Sequence, residues 1–318
     1  MKLIVSELEV LRSYVSREFY HVMTDLITHF NWRHIETRAL WSASGTVKDR
    51  LLHLCHDMPE TILFWEGYEL LTAHALEIQR LPCRKVILAD DLHWWDDAMR
   101  TRKAVGFALC DTILSTVGYL WSKLYPEFAG TKKVVWIPHS ASPDFMVPYN
   151  HNPENSIFVS GSAGIYYPLR EQIKSLHAKG SYSLVFQPHP GYYTGYDYDR
   201  NESVGRGYAR KINQYRAAFT DSSIYKYVVA KYFEIPATGA LLIADDAVSG
   251  PLVQLGFMAD EHYVPVSAKN LEEKIAFVLD ERNHNHLDQI RKRAQELVCA
   301  RHKTIDRARQ IDAACTNR

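Results

Sequence analysis

What this 318-residue chain lacks already excludes several classes of protein. Its five cysteines, Cys55, Cys83, Cys110, Cys299 and Cys315, are odd in number, widely separated and contain no C-x-x-C pair. That usage argues against a disulfide framework or a structural zinc site and for thiols kept reduced. No stretch reaches the roughly 18 apolar residues of a membrane span, and the opening Met1-Lys-Leu-Ile-Val-Ser-Glu7 is too short an apolar run for a secretory signal. The expectation is a cytoplasmic protein with no membrane span. Formal net charge is zero, with 37 basic and 37 acidic residues. No global field therefore draws in nucleic acid or an anionic membrane. No internal repeat is present.

What the chain does have in quantity is aromatic side chains, 12% of residues with 19 tyrosines and seven tryptophans. Rings of this kind serve sugar-handling proteins as stacking platforms and other proteins as ordinary core. The length fits two domains of about 150 residues. Short apolar runs at residues 2–6, 61–65, 85–89, 112–115 and 134–137 alternate with helical spacing at 18–30, 68–81, 96–110 and 119–128. This is the β-α-β rhythm of a doubly wound parallel sheet. A Pro/Asn-rich stretch at 143–156 interrupts it, and the rhythm then restarts. Strands are expected at 157–160, 183–186, 218–220, 240–244 and 263–266, with helices at 169–178, 208–217 and 271–279. Asn270 with Glu273 reads as a capping box. Residues 191–207 are polar and tyrosine-rich without periodicity, as in a mobile loop, and residues 286–314 read as one long charged helix.

Four segments carry the chemistry. Lys231-Tyr-Phe-Glu-Ile-Pro-Ala-Thr-Gly239 sets one carboxylate, Glu234, in an apolar helical turn before a buried strand. A buried carboxylate needs partners, and the two hydroxyls of a vicinal diol suit its two oxygens. Gly161-Ser-Ala-Gly164 follows a strand and offers backbone N–H groups to an anion. Asp221-Ser-Ser223 reads as the start of a further helix, with the hydroxyls of Ser222 and Ser223 available to phosphates. Arg170, Lys226 and Lys231 are the candidate counter-charges for a diphosphate, and His189 of Gln187-Pro-His-Pro190 stands at a strand end beside them. In the first half, Leu88-Ala-Asp-Asp-Leu-His-Trp-Trp95 brings Asp90, Asp91 and His93 to a strand's carboxyl end, where an aspartate can act as general base.

Taken in order, Val135-Trp-Ile-Pro-His-Ser-Ala-Ser-Pro-Asp-Phe145, Ile157–Gly164 with Tyr167-Pro-Leu-Arg170, Lys231–Ile243 and Arg301-His-Lys-Thr-Ile-Asp-Arg307 resemble segments of GT-B glycosyltransferases, in their CgeB-like, group 1 branch. The resemblance implies an α/β GT-B fold of two Rossmann-like domains with an interdomain cleft. Residues 1–148 would form the acceptor domain, 149–285 the nucleotide-sugar donor domain, and 286–318 a helix returning to the first domain. It implies a metal-independent hexosyl- or pentosyltransferase with no cofactor beyond the nucleotide-sugar co-substrate, acting on a saccharide, glycoconjugate or small-molecule acceptor. Asp90, Asp91 and His93 would serve catalysis. Gly161, Ser162, Arg170, His189, Ser222, Ser223, Lys226, Lys231 and Glu234 would bind the donor, with Glu234 on the ribose. The chain departs from the wider family's pair of glutamates, since the position eight before Glu234 is Lys226.

Two other readings stay open on the residues alone. His53, His56, Asp57, Asp90, Asp91 and His93 have the composition of a hydrolase metal site. A GT-B-like protein that binds nucleotide without turnover would equally lack the first glutamate.

Overall fold

The computed structural model describes residues 1–316, which divide into two compact units. One comprises residues 1–12, 19–138 and the chain from 305 on; the other comprises 13–18 and 139–304.

The first unit is built on a six-stranded sheet of β1 (Lys2–Ser6), β2 (Trp32–Glu36), β3 (Thr61–Trp65), β4 (Arg84–Ala89), β5 (Thr112–Ser115) and β6 (Lys133–Trp136). Its spatial order is β2-β1-β3-β4-β5-β6, parallel throughout. The second unit carries β7 (Glu154–Ser160), β8 (Leu184–Gln187), β9 (Tyr215–Thr220), β10 (Leu241–Asp245) and β11 (Val264–Val266), in the order β11-β10-β9-β7-β8 and also parallel. In each sheet the first strand lies second from an edge; the chain adds that edge strand and then crosses back to build the other side. The resulting switch point falls between β1 and β3 in one unit and between β7 and β9 in the other. Ligands of open α/β sheets bind at the carboxyl ends of strands beside such a point.

The sequence's near-continuous apolar runs follow from burial on both sheet faces. Ile157, Val159, Ala217, Phe219, Leu241, Ile243, Val264 and Val266 form one core with the covering helices. Ile4, Leu63, Val86, Leu88 and Leu114 anchor the other.

Several expectations need correction. β2, Trp-Arg-His-Ile-Glu, is an edge strand paired on one side only, so polar residues alternate into it and leave no apolar run. Residues 215–217 belong to the fully buried β9 and not to the preceding helix (Gly205–Gln214), because sheet pairing overrides the helical leaning of the alanines. Asn270 does not cap the helix Leu271–Leu279; its side-chain oxygen accepts from Ser267 instead. The long terminal helix is two, His284–Arg301 and Thr304–Thr316, broken at His302. The imidazole of His302 is buried and bonds the Leu255 carbonyl at 2.9 Å, which fixes the break. No helix among the described residues is long and apolar enough to cross a membrane.

Candidate functional site

In the second unit the carboxyl end of β7 runs into Gly161, whose φ of +108° belongs to the region that favours glycine. A Cβ placed there would lie 2.8 Å from Lys231 Nζ and 3.0 Å from Arg170 Nη1. Only a bare backbone lets two cations sit this close over the turn. Lys231 donates to the Ser160 carbonyl at 2.8 Å and to its hydroxyl at 3.2 Å. Arg170 donates to the Ser162 carbonyl at 2.7 Å and pairs with buried Asp221 at 2.8 Å, while its ring neighbour is Tyr167. Ser162 thus contributes a carbonyl to this arrangement.

Two buried cations side by side disfavour each other's charge. Burial, and next Arg170, pull the Lys231 ammonium down to about 7, against the opposing fields of Glu234 and Asp221. His189, beyond β8, is pulled down to about 4 by burial, Lys231 and Arg170. It is therefore neutral at neutral pH. Its Nδ1 accepts the Gly191 amide at 3.0 Å, which places the ring proton on Nε2.

Glu234 lies on the short helix Lys231–Ala237, one turn after Lys231. It is only 8% exposed, and its carboxylate accepts no hydrogen bond from any described residue. Burial lifts it to about 7; Lys231 and His139 oppose that rise, while Glu18 and Asp144 add to it. Lys231 and Glu234 thus favour each other's charged form against the burial that both share.

The other predicted donor residues lie elsewhere. Residues 221–230 do not open a helix: Ser223 and Lys226 both have left-handed φ, +59° and +62°, in a turn. Buried Ser222 gives its hydroxyl to Asp245 at the end of β10, Ser223 accepts from the Tyr225 amide, and half-exposed Lys226 pairs with Asp245 at 3.8 Å. Asp221, read as a cap, is instead the counter-ion of Arg170 and accepts its backbone amide at 3.1 Å. The tyrosine loop is not free along its length. The Tyr196 amide bonds the Ser13 carbonyl at 3.0 Å, the Tyr198 hydroxyl bonds the Tyr14 carbonyl, and Arg17 stacks on Tyr198 at 3.8 Å.

In the first unit, Asp90, Asp91 and His93 follow β4 as expected. His93 Nδ1 is 3.7 Å from exposed Asp91, and burial pulls its ring below the ordinary histidine range. Buried Lys103 ties this loop by donating to the carbonyls of Asp91 and His93. Sequence reasoning missed Glu66, which directly follows β3 with φ +49°. Burial and then Asp90 push its carboxyl up to about 8. The available signal was its position, a carboxylate between a buried strand and Gly67. A strained, non-glycine residue of this kind is a mark of functional loops.

The six proposed metal ligands do not assemble. His53 lies on the helix Val47–Cys55, and His56 is its left-handed cap with Asp57 beyond, ahead of β3. Asp90, Asp91 and His93 come after β4, at the opposite end of the same sheet. A five-residue strand separates the two groups by roughly 15 Å. No metal-holding group of three or more His, Cys, Asp or Glu exists among the described residues.

Two parallel sheets of this winding, each ending in a polar cluster at its switch point, define the GT-B class of fold. Comparison with solved structures agrees over the whole chain. Sucrose-phosphate synthase from Thermosynechococcus elongatus superposes with a TM-score of 0.64 at 13% identity, covering 98% of this chain and 97% of that one. An alpha-glucosyltransferase in complex with UDP-glucose and DNA containing an abasic site gives 0.65 at 12% identity, with all of both chains covered. Anabaena HepE in complex with UDP and glucose gives 0.60 at 10% identity and 99% of each. These likenesses show the fold. Residues 171–313 match the family described as glycosyl transferase-like. No curated protein sequence matches the chain. The chain thus has the GT-B fold, and its likeness to the glycosyl transferase-like family lies within the second half.

Proposed function

We propose that the protein transfers a sugar from a nucleoside diphosphate sugar to an acceptor hydroxyl without a metal ion. The observation that carries this reading is the pair Arg170 and Lys231 over Gly161, with Glu234 one helical turn on. The bond that breaks joins the sugar's anomeric carbon to the diphosphate, and negative charge grows on the departing phosphate. Fixed cations in a water-poor site stabilise that charge without reorganising. Glu234 accepts the hydroxyls of the nucleotide ribose. His189, neutral with its proton on Nε2, offers one further donor.

Acceptor recognition is assigned to the first unit, with Asp90 as general base and Asp91 and His93 beside it. Glu66, protonated at neutral pH, joins them as a hydrogen-bond donor. Because the structural relatives include UDP complexes, UDP-glucose is the first donor to test and a hexosyl group the first transfer. The test is turnover of UDP-glucose in EDTA, followed by NMR of the released sugar. Turnover unaffected by chelator is expected, and abolition by EDTA with rescue by a divalent ion would refute metal independence. A protein that binds nucleotide without turnover is the second reading, favoured by Lys226 at the position eight before Glu234 and by its pairing with Asp245.

A further inference from the structure

Lys231 is the end of a buried series of hydrogen bonds in the second unit. Tyr208 stands on the helix Gly205–Gln214 and is 9% exposed, with its ring edge-on to Phe145 at 6.0 Å and tilted on Phe158 at 6.1 Å. Its hydroxyl bonds the hydroxyl of Ser160, the buried last residue of β7. That same serine receives Lys231 at both its oxygens, 2.8 Å at the carbonyl and 3.2 Å at Oγ. The Lys231 nitrogen also lies 6.0 Å from the centre of the Tyr208 ring. Three polar side chains thus run in series, Tyr208 to Ser160 to Lys231, and end over Gly161.

A serine hydroxyl has one proton and two lone pairs, an ammonium only donates, and a phenol does both. With Lys231 charged, Ser160 Oγ accepts from it and turns its own proton to Tyr208. With Lys231 neutral, Ser160 can donate to the amine and accept from Tyr208. The phenol therefore completes the serine in either state. Burial, and next Glu234, hold the Tyr208 hydroxyl well above the ordinary phenol range, so it keeps its proton. Without the phenol oxygen, the neutral amine is the form that gives the serine proton a partner, and a buried hydroxyl left without one is costly. The other groups facing Lys231 are Arg170, His189, Asp221 and, on its own helix, Glu234.

We infer that Tyr208 is a positioning residue: through the Ser160 hydroxyl it holds the Lys231 ammonium over the Gly161 turn, ready for a diphosphate. Tyr208 acts only through Ser160 and does not touch the ligand. The inference rests on the proposed nucleotide reading for its ligand class, a nucleoside diphosphate. It adds to that reading two residues outside those assigned to donor binding.

The test is NMR of the full-length protein carrying isotope-labelled lysine, with the Lys231 amine signal assigned by its loss in Lys231→Arg. Its titration midpoint is followed in wild type, Tyr208→Phe, Ser160→Ala and the double variant. Tyr208→Phe should lower the midpoint by about half a unit to one unit from the wild-type value of about 7, and Ser160→Ala should lower it too. In the Ser160→Ala background, Tyr208→Phe should add nothing. Calorimetric affinity for UDP should fall about three- to tenfold in Tyr208→Phe at pH 8, where the amine is largely neutral, and about twofold or less at pH 6, where it is mostly charged. A merely structural role would weaken UDP equally at both. A midpoint unmoved by Tyr208→Phe, or an equal further fall in the Ser160→Ala background, would overturn the inference. Failure of wild type to bind UDP while the midpoints move as expected would overturn only the nucleotide reading beneath it.

Discussion

Gly161 is where backbone geometry and charge placement meet most closely. Its φ of +108° strains any side chain, and an added Cβ would come within 3.0 Å of Lys231 Nζ and Arg170 Nη1 and displace them. Gly161→Ala should cost about 1–3 kcal/mol of stability through backbone strain and should separate Lys231 from Arg170. Urea unfolding measures the first effect and UDP titration the second; an alanine variant with unchanged UDP affinity would contradict the placement of the phosphate at this turn. Lys231 and Glu234 give a sharper prediction because both sit near pH 7. A diphosphate favours charged Lys231 and ribose hydroxyls favour ionised Glu234. Above pH 7 Lys231 is largely neutral, so UDP binding should take up a proton; below pH 7 Glu234 is largely protonated, so binding should release one. Calorimetry in buffers of differing ionisation enthalpy reads that sign change directly.

The same pair sets a stability profile. Glu234 is raised, so its contribution is present in full below the ordinary carboxylate range and is lost as pH rises through about 7. Lys231 is lowered, so its contribution is full only above the ordinary lysine range and is lost as pH falls through about 7. Glu234→Gln removes the first cost. Relative to wild type it should gain stability between pH 5 and 8, on the order of 1 kcal/mol. A variant that loses stability over that interval would show that the carboxylate is tied down by a stabilising bond in the folded protein.

At the scale of elements, the buried strands were legible because both faces are covered and their apolar runs are uninterrupted. The short helix of Glu234 was legible from Gly239, which stops it before β10. What escaped is what tertiary context decides. β2 carries an edge strand's polar residues, and Asp221 found a partner 51 residues away in Arg170. The charged helix His284–Arg301 reads as a solvated surface, yet Arg291 is wholly buried in it. Its guanidinium donates to the Gly239 carbonyl at 2.8 Å, to Asp288 at 2.7 Å and to the Asn150 carbonyl at 2.9 Å, and it stacks on Tyr149. Composition cannot distinguish such an arginine from its exposed neighbours. Arg291→Ala strands the buried Gly239 carbonyl and the half-buried Asn150 carbonyl and should destabilise the second unit by about 3–5 kcal/mol. Denaturant melts should show the loss, and a change within 0.5 kcal/mol would contradict the role given to this residue.

At the scale of the molecule, two sheets repeat one winding order, and each delivers a polar cluster to its own switch point. Of the four segments that resemble the family, two, 157–170 and 231–243, meet where Arg170 and Lys231 come together over Gly161 at the edge of the second sheet. Glu66 was legible only as a carboxylate between a buried strand and Gly67, because its raised charge cost comes from burial and from Asp90, far off in sequence. The proposed function requires a nucleoside diphosphate to bind at the Gly161 edge of the second unit. A melting-temperature panel of UDP, GDP, ADP and CMP, with Glu234→Ala as control, tests it most directly. One diphosphate at a hundredfold excess over its dissociation constant should raise the wild-type melting temperature by about 5 °C, and Glu234→Ala should lose most of that rise. No shift with any nucleotide, or an equal shift in the variant, would contradict the claim.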